Sequence, residues 1–328
     1  MKRRDFITLL GGAAAAWPIA AVAQQSERVR RIAVLLTGAL AERGANFGAF
    51  REAMAKFGWI EGRNLRIDIR AGASDPNQIH AYAVQLADLA PDAIVTTNLL
   101  STRLMQQETQ SIPIIFTGVG GDPVAVGVVG NIAHPDGNTT GFTNLFNPIA
   151  GKWVELLKSA APHVTRIALL FNPAATPRPP MGYIGAAEAA APASAVQLTR
   201  MPVRNDLELV RAIDAFGGEP NGGLVVLPPS AVNFSLLSNL ATDHQLPAMF
   251  FDRAFVNGGG LMSYGSITAD LFRGAASYLD RILRGAKVSE LPVQYPTKFE
   301  LVINLTAAKA IGLTVPQTLI AAADEVIE

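Results

Sequence analysis

The chain has 328 residues, 27 of them basic and 27 acidic, and 49% of its residues are hydrophobic. The balanced charge offers no excess of cations for a nucleic-acid backbone, and the hydrophobic content is too high for a disordered chain. Because the chain has no cysteine, disulfides, thiol nucleophiles and iron–sulfur clusters are excluded. Its four histidines show no helical metal-pair spacing, which disfavours a zinc enzyme. No cofactor is expected.

Residues 1–23 have the pattern of a bacterial export signal. Three basic residues at positions 2–4 precede an apolar run that ends in Ala-Val-Ala, a small-residue cleavage pattern. The adjacent arginines resemble a twin-arginine signal, which exports folded proteins; the general export route is the alternative. A retained membrane anchor is the other alternative, but Pro18 and the cleavage pattern favour removal. We expect a periplasmic chain cleaved near Ala23–Gln24.

Short apolar strands alternate with helical patterns through the first half of the chain. We predict strands at 31–36, 65–70, 93–96 and 112–116, and helices at 45–57, 76–89 and 101–109. The first strand is an unbroken apolar run, which is typical of a strand covered on both faces. The alternation predicts a parallel, doubly wound α/β sheet.

The same pattern restarts in the second half. Predicted strands lie at 166–171, 197–199, 223–227, 248–251 and 261–263; predicted helices lie at 152–160, 207–216, 235–242 and 267–284, with an alanine-rich helix ended by Pro192. A last strand and helix, 299–311, are expected to close the chain. The sequence therefore predicts two similar α/β halves joined near residues 144–150.

Polar, glycine-bearing loops follow the predicted strands. Ligands of open parallel sheets bind beyond the carboxyl ends of the strands, where helix N-termini expose N–H groups. The candidate ligand-binding residues are Thr37, Thr97, Asn98, Ser101, Thr117 and Asp122 in the first half and Asn172, Ser230, Asp252 and Tyr264 in the second. Two such rims facing each other would form a cleft for a small polar or zwitterionic molecule.

Two groups of candidates in the first half have alternative interpretations. Asp122 would receive a ligand ammonium or N–H, or would cap a helix that begins at Pro123. Thr97, Asn98 and Ser101 would present hydroxyl, amide and helix N-terminal N–H groups to a ligand carboxylate, or would serve only as caps, with Ser101 placed to cap the next helix.

The second half also offers alternatives. Asp252 would contact the ligand, pair with Arg253 or fix a hinge, and Phe251 and Tyr264 would stack on an aromatic ligand or pack in the core. The segment Gly118–Gly121 lacks the spacing of a phosphate-binding loop, and no nucleophile motif accompanies the histidines, so nucleotide binding and hydrolase chemistry are disfavoured.

Several segments together carry a family resemblance over essentially the whole chain after the signal. They are Ile112–Phe116 with Gly120–Pro123, Gly137–Gly141, Gly259–Gly265 and Pro296–Asn304. On these segments the chain resembles the periplasmic substrate-binding proteins of ABC importers, in the tryptophan/tyrosine-type branch. It departs from the usual pattern at 98–100, at Ser230 and in the proline-rich stretch 174–180, all on the expected cleft wall.

The resemblance implies a type I periplasmic-binding fold with two lobes, three crossing strands and hinge closure. By that analogy the crossings lie near 144–147, 265–267 and 291–296. One lobe would comprise 24–145 plus 267–291, and the other 146–266 plus 292–328.

The resemblance also implies a monomeric, non-enzymatic receptor whose ligand is an amino acid or a small aromatic compound. The receptor would deliver this ligand to membrane permease subunits, and a separate subunit would be the ATPase. The alternatives are an exported sensor for a membrane signalling partner and an exported enzyme on the same fold.

Overall fold

The computed structural model describes residues 28–37, 40–73, 75–144, 146–173, 181–228 and 232–328; the predicted export signal lies outside them. The described strands are β1 (Arg30–Thr37), β2 (Leu65–Ala73), β3 (Ala93–Thr96), β4 (Ile114–Val119), β5 (Thr139–Thr143), β6 (Arg166–Phe171), β7 (Gln197–Pro202), β8 (Gly222–Val226), β9 (Ala248–Phe250), β10 (Met262–Ser266), β11 (Phe299–Asn304) and β12 (Glu325–Ile327). The described helices are α1 (Leu40–Lys56), α2 (Pro76–Asp88), α3 (Leu99–Glu108), α4 (Ile149–Ala160), α5 (Met181–Ala190), α6 (Asp206–Gly217), α7 (Phe234–Asp243), α8 (Arg253–Asn257), α9 (Thr268–Leu283), α10 (Leu305–Ala310) and α11 (Gln317–Ala322), with a 3₁₀ turn at Val288–Glu290.

The first sheet has the order β2-β1-β3-β4-β5, and all its neighbouring strands are parallel. Successive side chains of β1 enter different cores, because a strand directs alternate residues to opposite faces. Val34 packs in the core beneath α1 and α9, whereas Ala33 and Leu35 pack in the core beneath α2 and α3. The unbroken apolar run in the sequence is thus explained by burial on both faces.

The second sheet has the order β12-β11-β10-β9-β8-β6-β7. Its neighbours are parallel except β10 and β11, which run antiparallel. β11 enters this sheet directly from an extended segment that leaves the first sheet, and not through a helical crossover, which a parallel neighbour of β10 would need. The prediction that residues 299–311 close the chain is wrong, since α11 and β12 follow and β12 pairs with β11.

The chain passes between the two sheets three times. It leaves β5 for α4 through residues 144–148, leaves β10 for α9 at 266–268, and returns to β11 after Leu291. Helix α9 belongs to the first sheet's core, where Phe272 and Leu279 pack with Ile32. The protein therefore consists of two α/β lobes built on mainly parallel sheets, which confirms the predicted fold class.

The last crossing also extends the first sheet. The Thr143 N–H donates to the Gln294 carbonyl at 2.9 Å, and the Gln294 N–H donates to the Gly141 carbonyl at 2.9 Å. Strand β5 and the short helix α8 were not predicted. Among the described residues, no helix combines the length and the apolar character needed to cross a membrane.

Candidate functional site

A cleft of about 500 Å³ lies where the two lobes meet. Three segments form it: the turn after β4, the first crossing and the last crossing. Its lining residues are Gly121, Asp122, Phe146, Asn147, Pro148, Tyr295 and Pro296. The set combines a carboxylate, an amide and a phenol with apolar ring surfaces, so the cleft suits a small molecule that has a polar end and an apolar body.

The Asp122 carboxylate is held at the cleft wall by its own turn. Its Oδ1 accepts hydrogen bonds from the Val124 N–H at 2.9 Å and the Ala125 N–H at 3.3 Å. The capping interpretation is thus observed, but the predicted helix from Pro123 is wrong. Gly127 adopts a φ of +69°, and the Val128 N–H bonds back to the Pro123 carbonyl at 2.9 Å, so the backbone closes after a single turn.

Tyr295 faces Asp122 across the cleft. Partial burial, and then the negative charge of Asp122, raise the pKa of the Tyr295 phenol. The phenol therefore stays uncharged at neutral pH, and its ring offers an aromatic surface beside a carboxylate. A carboxylate next to an aromatic face is an arrangement that attracts an ammonium group.

Phe146 begins a row of aromatic rings that runs from the cleft into the second lobe. Its ring centroid lies 5.6 Å from that of Phe299, which in turn stacks at 5.6 Å on Tyr264. The Tyr264 carbonyl accepts a hydrogen bond from the Trp153 indole at 2.7 Å. The row gives the cleft wall a rigid apolar backing.

Tyr183 on α5 reaches from the second lobe to the turn after β4. Its ring lies 5.8 Å from that of Trp153, and its hydroxyl lies beside Gly120 and Gly121. Burial raises the pKa of the Tyr183 phenol, and the nearby Gly121 N–H offsets this in part. No hydrogen-bond partner with good geometry is found for this hydroxyl within the part of the chain that the structure describes.

Four of the predicted residues meet in one network at the end of the first sheet. The Asn98 Nδ2 donates to the Thr37 hydroxyl at 2.5 Å, and the Thr37 N–H donates to the Thr97 hydroxyl at 3.2 Å. Asn98 caps α3 by accepting from the Ser101 N–H at 2.8 Å, and the Ser101 hydroxyl accepts from the Asn98 N–H at 3.3 Å.

The prediction that Ser101 caps α3 is therefore confirmed only in part, because the N-cap residue is Asn98. Ser101 is the third residue of a capping box that begins at Asn98, and Asn-x-x-Ser was its sequence signal.

The remaining predicted residues are dispersed. The Thr117 hydroxyl is buried and donates to the Thr96 carbonyl at 3.1 Å. Asn172 is buried at the end of β6, and Asp252 caps α8 by accepting from the Ala254 N–H at 2.9 Å. Tyr264 packs against the core of the second lobe, and Ser230 lies outside the described residues. Of the nine predicted residues that the structure describes, Asp122 is the one among the lining residues of the cleft.

Sequence reasoning missed the aromatic and amide residues of the cleft. Phe146, Asn147 and Tyr295 lie at or beside the expected chain crossings, so the crossings themselves were the signal. Tyr183 had a weaker signal: it is the one aromatic residue of a helix rich in glycine and alanine. The chain crossings, and not only the strand ends, therefore place residues in the cleft.

Solved structures similar to this chain share its two-lobed fold. A Streptococcus pneumonia ABC domain in complex with L-Trp has a TM-score of 0.79 at 22% identity, with 91% of this chain and 99% of that chain covered. The ligand-free, open structure of a Clostridium difficile substrate binding protein with adhesive properties has a TM-score of 0.72 at 23% identity, with 92% and 99% covered.

Sequence comparison agrees with the structural likeness. A tyrosine-binding protein of Clostridioides difficile (strain R20291) is 23% identical over 270 residues, which are 80% of this chain and 75% of that protein. The family model described as ABC transporter substrate binding protein matches residues 32–327. This match spans nearly all of the chain, which therefore belongs to the family of ABC transporter substrate-binding proteins.

Proposed function

We propose that this protein is an extracytoplasmic receptor that captures an aromatic amino acid and delivers it unchanged to the permease subunits of an ABC importer. The observation that carries the proposal is the cleft between the lobes, where the Asp122 carboxylate lies beside the rings of Phe146 and Tyr295. The names of two similar proteins, one tyrosine-binding and one bound to L-Trp, support the same ligand class.

The ammonium and the side chain of such a ligand have matching groups at the cleft, and the α-carboxylate has candidate partners at the end of the first sheet. The Asp122 carboxylate would bind the α-ammonium, and the aromatic and proline surfaces would pack on the side chain. The network of Thr37, Thr97 and Asn98 would offer hydroxyl and amide donors to the α-carboxylate at the start of α3. Because no covalent step is involved, the receptor acts by binding and release.

The three crossings are the proposed hinge. We place the lobe boundaries near 145, 267 and 292, which is supported by the packing of α9 on the first sheet and the membership of β11 in the second. Ligand contacts from both lobes would favour the closed form, which the permease recognises while a separate subunit uses ATP. The working unit is proposed to be a monomer whose export signal is removed near Ala23–Gln24.

Calorimetry with matched ligands tests the proposed function. L-Tyrosine and L-tryptophan are expected to bind in the micromolar range, about −8 kcal/mol. 4-Hydroxyphenylacetate and indole-3-acetate keep the rings and the carboxylate but lack the ammonium, so their binding should be much weaker. Absence of binding by every aromatic amino acid would refute the proposal, and turnover of any of them would indicate catalysis instead.

Asp122→Asn tests the residue that carries the proposal. Asparagine retains the capping oxygen but loses the charge, so amino-acid affinity should fall by about 1.5–3 kcal/mol, the range of a hydrogen bond to a charged group. Asp75→Asn is the matched control, because Asp75 caps α2 in the same way, accepting from the Asn77 N–H at 3.1 Å. Equal affinities in the two variants would remove Asp122 from the site.

A further inference from the structure

Two buried polar atoms next to the cleft have no hydrogen-bond partner with good geometry among the residues that the structure describes. They are the hydroxyl oxygen of Tyr183 and the Oδ1 of Asn144. Both approach the same backbone position: a Cβ placed on Gly120 would lie 3.4 Å from the Tyr183 hydroxyl and 3.3 Å from the Asn144 Oδ1. The two atoms therefore flank one backbone position, Gly120.

The position of Gly120 is directly next to the cleft. Gly120 precedes Gly121 and Asp122, which both line the cleft. The Oδ1 of Asn147, another lining residue, would lie 3.6 Å from a Cβ placed on Gly121. A side chain at Gly120 would press on both polar atoms, which lie next to the residues of the cleft wall.

Three parts of the molecule meet at this point. Tyr183 comes from α5 of the second lobe, Asn144 from the first crossing, and Gly120 from the turn after β4 in the first lobe. Separation of the lobes at the proposed hinge would move the Tyr183 hydroxyl away from Gly120 and expose both polar atoms to the cleft. Closure then encloses any ligand group that has entered.

Buried polar groups without partners destabilise a folded protein, so such groups call for a functional explanation. The phenol hydroxyl supplies a donor and the amide oxygen supplies an acceptor. Both groups are uncharged: the Asn144 amide does not ionise, and burial raises the pKa of the Tyr183 phenol above its ordinary value. The chemistry that satisfies both is an uncharged group that accepts one hydrogen bond and donates another.

We infer that Tyr183 and Asn144 form a specificity site for a ligand hydroxyl, so that the receptor prefers a hydroxyl-bearing aromatic amino acid to its deoxy analogue. The inference rests on the proposed function, and it assigns a second polar subsite separate from Asp122. A site built to bond a hydroxyl rejects the analogue that lacks it, because its buried polar groups are then left unpaired.

The test measures the affinities of L-tyrosine and L-phenylalanine, which differ only in the hydroxyl, by calorimetry. The wild-type protein should bind L-tyrosine at least about tenfold more tightly than L-phenylalanine. Tyr183→Phe should reduce this preference to about threefold or less. Tyr82→Phe is the matched control and should leave the preference unchanged, since the Tyr82 hydroxyl accepts a hydrogen bond from Gln78 on the surface of α2.

Thermal unfolding of the ligand-free variants separates a binding role from a structural one. Tyr183→Phe removes a hydroxyl that has no described partner, so its Tm should equal or exceed the wild-type value. A variant with an unchanged Tm and a lost preference supports the inference.

Two results would overturn the inference. Binding of both amino acids with the same preference in wild type and Tyr183→Phe would refute it and leave the proposed function standing. Binding of neither amino acid to the wild-type protein would refute the proposed function as well.

Discussion

Gly141 shows how a single residue fixes the edge of the first sheet. It pairs with Phe116 across β4 and β5 and has a φ of +154°, a backbone region that favours glycine. A Cβ at this position would lie 2.2 Å from the Phe116 carbonyl oxygen. The close approach of the two strands therefore requires the absence of a side chain, and it sets the path of the first crossing.

Gly141→Ala should destabilise the protein by about 3 kcal/mol or more, because both the backbone conformation and the strand contact resist a Cβ. Urea unfolding followed by circular dichroism measures the change. Gly137→Ala is the control, since a Cβ there would meet no atom within 4 Å. Equal midpoints for the two variants would contradict the argument.

At the residue scale, the sequence predicted local capping groups better than the lining of the cleft. Asp122 was found because a carboxylate after two glycines and before a proline has a recognisable local pattern. Asn147 was not predicted, because its place in the cleft depends on the absence of a side chain at Gly182. A Cβ on Gly182 would lie 2.2 Å from the Asn147 Nδ2. That contact joins residues from two separate elements, and a local pattern carries no record of it.

At the scale of elements, an ion-pair network joins α8, β11 and β12. Arg253 contacts Glu300 at 2.9 Å and Glu325 at 2.6 Å. Glu300 is 9% exposed, and its burial raises the pKa of the carboxyl, with Arg253 opposing the rise and Glu325 adding to it. The network holds the terminal strand β12 against the second sheet. At neutral pH, however, it requires the buried Glu300 carboxylate to carry its charge, and burial disfavours that charge.

The raised pKa of Glu300 predicts the sign of a pH effect. Its stabilising contribution is complete below the ordinary carboxyl pKa of 4.5 and is lost as the pH rises through the raised value. Glu300→Gln is always neutral and lacks this dependence. At pH 7 the variant should be at least as stable as the wild type, and the wild type should gain stability relative to the variant as the pH falls towards 4.5.

Urea unfolding of both proteins at pH 7 and at pH 4.5 measures this difference. Glu188→Gln, which breaks the surface pair with Arg200, is a control that should change stability by less than about 1 kcal/mol at pH 7. A marked loss of stability in Glu300→Gln at pH 7 would show that the pair with Arg253 outweighs the cost of burial.

At the scale of the whole molecule, two rigid lobes share one cleft. Each lobe buries both faces of its own sheet, so each has independent cores. The chain connects them through three short segments, which absorb changes in backbone angle more easily than packed elements do. The geometry therefore favours movement of one lobe against the other over deformation within either.

Ligand closure should make the molecule more compact. Small-angle X-ray scattering is expected to show a smaller radius of gyration when L-tyrosine is saturating, because contacts from both lobes stabilise the closed form. Asp122→Asn at the same ligand concentration should stay closer to the ligand-free value. An unchanged radius in the wild-type protein, with binding confirmed by calorimetry, would exclude closure as the response to the ligand.

The sequence by itself determined the alternation of strands and helices and the two-lobed fold class, and it offered capping by Asp122 as one of two alternatives, since apolar periodicity and turn chemistry are local properties. The tertiary structure alone decided the antiparallel entry of β11, the pairing of β12 and the composition of the cleft. Tyr183, Asn144 and Gly120 are far apart in the chain, and only the packing of two lobes around a hinge places them at one point.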